Sequence, residues 1–383
     1  MPGAVEGSGE DAGVAAHYGN PVQEQRALAA GTAVVDLSHR SVLTITGPDR
    51  LSWLDSISSQ SIAKLAPGVS SETLILDPNG RIEHDIRLVD DGETLWLLVE
   101  REDAESLVTW LSRMKFMLRV DITDRTADYA TMGTLGELEL PAATPNGVPL
   151  VWRDPWSTTH AGGHQYATVV EHPSASFTYR EVLVRRQDQA SVAELPAAGL
   201  LALEALRIAA WRPRFAAEVD ERTIPHELDW LRSAVHLNKG CYRGQETVAK
   251  VHNLGHPPRR LVMLHLDGSD GVLPVHGDEV ILVERSGADR GVDVSAAGDV
   301  AGDAAADRDA REKVVGRVTS AARHHELGPI ALAMIKRTVD PLAGLVVLAD
   351  GVRIAAAQEV IVPPDAGAEA NVPRLPRLGT VRR

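Results

Sequence analysis

Apolar residues recur along this chain with two different periods. Val42, Leu43 and Ile45 make a strand-like run, and Gly47-Pro48-Asp49 breaks it with Pro48 at a helix start. Leu51, Leu54, Ile57 and Leu65 follow at helical spacing, with Trp53 beside them. Strand runs are predicted over 73–76, 82–89 and 94–99, and the turn Asp77-Pro78-Asn79-Gly80 joins the first two as a hairpin. Leu107, Trp110, Leu111, Met114 and Met117 line one face of an amphipathic helix. A second helix, rich in Leu and Ala, is predicted over 197–210. After Pro257-Pro258 short β runs take over: 261–266, 279–283, 314–319, 330–336 and 345–348. The class is therefore α+β followed by an all-β barrel or sandwich.

Composition sharpens the division. The Gly/Ala-rich, acidic residues 1–20 predict a disordered leader, the Asp-rich stretch near 285–312 a mobile insertion, and the Pro-rich residues 363–383 a disordered tail. That leaves 21–255 as one α+β region of two subdomains and 256–362 as the barrel. A net charge of −14 disfavours general affinity for nucleic acid or anionic membrane, while a local cationic pocket for an anionic ligand stays open. No window approaches 18 uncharged apolar residues. The single cysteine forms no internal disulfide, and the first residues lack the basic and apolar segments of a secretory signal. A cytoplasmic protein is expected.

That cysteine lies in the run KGCYRGQE. Gly240 and Gly244 bracket Cys241, and Lys239 and Arg243 each stand two residues from it. Nearby cations stabilise a thiolate, so the run has the ingredients of a reactive thiol. A small buried hydrophobe is the competing reading. The want of a second cysteine and of histidines at a regular ligand spacing disfavours structural zinc.

The same run strongly resembles the signature of the YgfZ family, within the folate-binding superfamily of the glycine-cleavage T protein (aminomethyltransferase). TVAKVHNLGHPPRRLV, VVGRVTSAARHHELGPIALAMIKR and VVDLSHRSVLTITGPDRLSWL resemble further segments, so the likeness extends from about Gly31 to about Val362. The resemblance implies a three-domain cloverleaf around a central folate channel, ending in a β-barrel. It implies a tetrahydrofolate cofactor, support of iron–sulfur cluster assembly or repair, and iron–sulfur proteins or assembly factors as partners. Cys241 is the implied functional thiol in a motif loop of Lys239, Gly240, Tyr242, Arg243, Gly244, Gln245 and Glu246. Asp85 aligns with the T-protein catalytic carboxylate, and His84 replaces the acid before it. Trp96 aligns with an aromatic that packs on folate; the competing readings are a solvated hairpin acid for Asp85 and an ordinary strand aromatic in the core for Trp96.

EALRIAAWRPRF departs from the T-protein pattern. Ala209 stands where a glutamate binds the pterin, and Trp211 stands where the pattern has glycine. Either Glu218, Asp220 or Glu227 takes over the glutamate's role or the pterin binds differently; Trp211 stacks on the ligand or fills a gap between domains; and Arg212 and Arg214 are candidates for the acidic tail, with surface solvation the competing reading. The alternatives are a true folate-dependent aminomethyltransferase and a non-enzymatic scaffold with a vestigial cavity.

Overall fold

The computed structural model describes residues 3–284 and 311–370. Two five-stranded sheets form the first part. One runs Ser70–Leu76, Ile82–Asp90, Thr94–Val99, Ser41–Thr46, Asp121–Asp124 and is antiparallel throughout. The other runs Val151–Arg153, Tyr179–Arg185, Tyr129–Leu135, Val34–Asp36, Ala197–Ala198, of which the last pair is parallel.

Alternation along Ile82–Asp90 sets what each face meets. Ile86 and Leu88 turn toward the helix Arg101–Met114 and pack with Leu107 and Leu111. Val89 turns the other way, into a core shared with its cross-strand neighbour Trp96 and with Leu135 and Trp152 of the facing sheet. Asp85 and Arg87 share that second face, so two charged side chains lie between the sheets. The helix is shorter than its apolar stripe predicts. It stops at Met114, Phe116 takes a left-handed φ of 41°, and Met117 stands 98% exposed.

The hairpin over 70–90 and the helix Leu200–Ala209 appear where the sequence places them. The C-terminal part closes into a barrel ordered Arg259–Leu266, Gly328–Lys336, Arg311–His324, Glu279–Glu284, Leu345–Ala349, Val352–Val360. Its last strand, VRIAAAQEV, escapes prediction because alanines fill positions where β-branched residues usually mark a strand.

Two expectations of disorder need correction. The expected leader contains the paired strands Val5–Glu6 and Ala15–His17, and Val14 is buried. Gly199 makes this docking possible, since a Cβ there would lie 2.2 Å from the Ala16 carbonyl oxygen. At the other end, 363–370 packs onto the helix Gln245–Leu254: Ala366 is buried, and the Glu369 amide donates to the His252 carbonyl at 2.9 Å. The insertion over 285–310 and the tail over 371–383 lie outside the described residues.

Candidate functional site

A cavity of about 40 Å³ lies between the two sheets and the segment after the helix Leu200–Ala209. Asp85 and Arg87 line it from one sheet, Trp152, Asp154 and Tyr179 from the other, and Arg212, Arg214 and Phe215 close it. It has room for roughly three water molecules.

Its walls are charged and mutually paired. Arg87 donates to Glu181, which also accepts from Arg40 at 2.6 Å and from the Tyr179 hydroxyl at 2.9 Å. Arg212 bridges Glu72 and Asp154, the latter at 2.9 Å, and its guanidinium lies over the rings of Trp156 and Trp230. Burial pushes the Asp154 carboxyl up to about 6 against the pull of Arg212.

Asp85 is the exception. It is buried, and its Oδ1 has no hydrogen-bond partner among the described residues. Burial, reinforced by Glu72, raises its carboxyl well above the usual range, although Arg87 and Arg212 oppose this. A carboxyl poised in this way can accept or supply a proton or a hydrogen bond at the cavity wall.

Trp96 and Trp211 do not line the cavity. The indole of Trp96 packs edge-on to Tyr129 and donates to Asp91 at 2.8 Å, inside the core. Trp211 is fully buried 5.1 Å from the His172 ring. Its φ of 59° is the left-handed geometry glycine adopts freely, and glycine is the residue of the resembling pattern here. For a bulky residue that geometry costs about 1–2 kcal/mol. Burial of the indole in the core shared with Trp156 and Trp230 offsets it.

None of the three acids expected to replace the missing glutamate reaches the cavity wall. Glu218 accepts from Arg207 and Ser320, while Asp220 and Glu227 both accept from Arg259. His84 turns to the helix side of its strand and shares a 2.6 Å hydrogen bond with Asp103.

Cys241 does not line the cavity either. It is exposed on the loop before the helix Gln245–Leu254. The two cations beside it in sequence serve to anchor this loop. The Lys239 ammonium is almost fully buried and donates to the carbonyls of Asp55, Ser58 and Gln60 at 2.5, 2.8 and 2.7 Å, at the C-terminal end of the helix Arg50–Ile57. Desolvation lowers its pKa. Arg243 pairs with Glu83, two residues along the strand from Asp85, and lies over the Trp110 ring. Tyr242 is buried in the core. Gly244, at φ 85°, fits against the 77–80 turn so closely that a Cβ would sit 2.6 Å from the Asp77 carbonyl oxygen. Gln245 Nε2 donates to the Lys239 carbonyl at 3.3 Å, and Glu246 stays exposed. The thiol thus rides on a rigid loop while its neighbours are held elsewhere.

Residues 14–137 match the family model described as GCVT N-terminal domain. An aminomethyltransferase of Symbiobacterium thermophilum is 26% identical, covering 65% of this chain and 71% of its own. A putative chloroplastic transferase of Arabidopsis thaliana is 25% identical, covering 66% and 61%. The crystal structure of glycine cleavage system aminomethyltransferase T from Bartonella henselae superposes with a TM-score of 0.66 over 94% of both chains, at 16% identity. These matches support the T-protein superfamily. The fold is the aminomethyltransferase type, with the closed barrel at its C-terminal end. No helix among the described residues is long and apolar enough to cross a membrane.

Sequence reasoning missed Glu72, Glu100, Asp154 and Glu181, which hold the cavity arginines. One signal was present. Glu83, Asp85 and Arg87 place three charges on one face of a strand flanked by strands on both sides. Such a strand buries charge only around a polar site.

Proposed function

We propose that the chain is a tetrahydrofolate-binding protein of the T-protein type that supports iron–sulfur cluster assembly or repair through Cys241. The observation that carries this reading is an exposed thiol on a loop locked to the folate-type domain by Lys239, Gly244 and Arg243. The likeness of KGCYRGQE to the YgfZ signature gives that thiol its role. Iron and sulfide are cargo in this reading.

The cavity residues suit a folate chemically. The unpartnered Asp85 oxygen suits an N–H edge, Trp152 and Tyr179 suit a flat ring, and Arg214 suits an acidic tail. Tetrahydrofolate, when bound, supplies one-carbon carriage at its N5/N10 bridge. At about 40 Å³ the cavity falls far short of the roughly 300–1,000 Å³ of ordinary ligand sites, so binding requires the Arg214–Phe215 side to widen.

Calorimetric titration with 5-formyltetrahydrofolate tests the folate half. The wild type is expected to bind saturably, and Asp85→Ala about tenfold or more weakly, the value of a hydrogen bond to a charged or strongly polar partner. Absence of saturable heat in the wild type removes the folate reading.

Aminomethyl transfer is the second reading, favoured by the names of the curated relatives and by the position of Asp85. Ala209 opposes it, because alanine offers a pterin no hydrogen bond. Turnover of an aminomethyl donor with tetrahydrofolate by the purified protein would decide for it.

A further inference from the structure

The segment that composition marks as a disordered leader reaches the central cavity's wall through one contact, between Asp11 and Arg214. A second cavity, of about 170 Å³, adjoins the central one and shares Glu100 and Phe215 with it. Glu10 lines this outer space, and the next residue, Asp11, reaches the arginine between the two. Asp11 accepts from Arg214 through both oxygens, at 2.7 and 3.2 Å, and its Oδ1 lies 3.3 Å from His39 Nε2. His39 is 2% exposed, and apart from this contact with Asp11 its ring nitrogens have no hydrogen-bond partner among the described residues. Burial pushes the Asp11 carboxyl up, but the contacts with His39 and Arg214 hold it well below the usual range.

The rest of this segment is weakly attached. No residue from Gly3 to Gly13 is buried, and Val14 is the first that is. The Val5–Glu6 and Ala15–His17 pair is too short to be stable alone. Gly9 and Gly13, at φ 61° and 96°, flank Asp11 and supply the left-handed turns a hinge needs. Segments with exposed backbone and few apolar contacts open at low free energy. Arg214 also has inner partners that the strap does not supply, Glu100 at 3.0 and 3.1 Å and Glu204 at 3.6 Å, while Arg212 is committed deeper in the cavity to Glu72 and Asp154.

We propose that residues 7–13 are a strap, that Arg214 and His39 form an anion subsite at the cavity mouth, and that Asp11 occupies this subsite until the carboxylate of an acidic ligand displaces it. The ligand class rests on the folate reading above, whose glutamate tail is such a carboxylate. Exchange of one carboxylate for another on Arg214 opens the outer and central cavities to each other around Phe215.

Asp11→Asn tests the strap in two ways. Hydrogen exchange of the 7–14 amides is expected to quicken in the variant, because the charged anchor is gone. Calorimetry is expected to show 5-formyltetrahydrofolate binding about tenfold tighter to Asp11→Asn than to wild type, as follows when the closed state holds about nine-tenths of the wild-type population. A pteroate analogue without the glutamate should show a smaller gain, since it brings no carboxylate to Arg214. Unchanged exchange overturns the strap whatever folate does. Quicker exchange with equal folate affinity in both proteins overturns the displacement. If neither protein binds folate, the folate reading falls, and the exchange result alone upholds or overturns the strap.

Discussion

Replacing Arg212 with methionine is expected to destabilise the fold by about 3–5 kcal/mol at pH 7, the range for removing one partner of a buried ion pair. Arg212 is 6% exposed, and its guanidinium is the cation shared by Glu72 and Asp154. Methionine fills the slot between Trp156 and Trp230 but leaves both acids without that charge. The effect has a pH signature. Asp154 already sits at about 6, above its unfolded value, so its contribution is fully present below about pH 4 and is lost as pH rises through 6. Without Arg212 its carboxyl rises further. The variant should therefore lose more stability at pH 8 than at pH 5, and Asp154→Asn added to it should recover part of the loss. Urea unfolding at the two pH values measures this. A loss below about 0.5 kcal/mol, the scale of an ordinary surface substitution, would show that the arginine is not what holds the cavity walls.

Asp229→Asn is expected to raise thermal stability, and only toward neutral pH. Burial pushes the Asp229 carboxyl up to about 7, against the amides of Tyr166 and Ala167 and the charge of Arg232, which favour the anion. A carboxyl raised in the folded state contributes fully below its unfolded pKa near 4, and that contribution disappears as pH climbs through 7. Each pKa unit is worth about 1.4 kcal/mol, so the ionised form costs on the order of a few kcal/mol above pH 7. Asparagine keeps the oxygen that accepts from the Tyr166 amide at 2.6 Å. It also tolerates the left-handed φ of 56° at this position. The melting temperatures of variant and wild type should converge near pH 4 and separate by several degrees by pH 8. Parallel curves across that range would show that Asp229 titrates normally.

Both predictions concern pairings that the sequence did not reveal, for a physical reason. Residues 72, 154, 212 and 232 come from distant segments, and no local period records that their side chains meet around Trp156. Local patterns fared better. The 77–80 turn between two apolar runs is the hairpin it predicts, and the β runs after Pro258 do form a barrel. Where local proximity stood in for spatial proximity, it misled. Lys239 and Arg243 flank Cys241 in sequence, yet one is sunk among helix-end carbonyls and the other is held by Glu83. Gly-rich composition likewise read as disorder at residues 1–20. A single carboxylate, Asp11, finds Arg214 more than two hundred residues away, and composition carries no trace of that pairing.

The claim that Cys241 is the working group is tested most directly in cells lacking the native protein. Wild-type and Cys241→Ala chains would be expressed at equal levels, and the activities of iron–sulfur enzymes measured in extracts. Because Cys241 is exposed, the variant should match the wild type in stability to within about 0.5 kcal/mol. Enzyme activities should nevertheless fall to the level of cells with no chain at all. Activities restored equally by both chains would contradict the account.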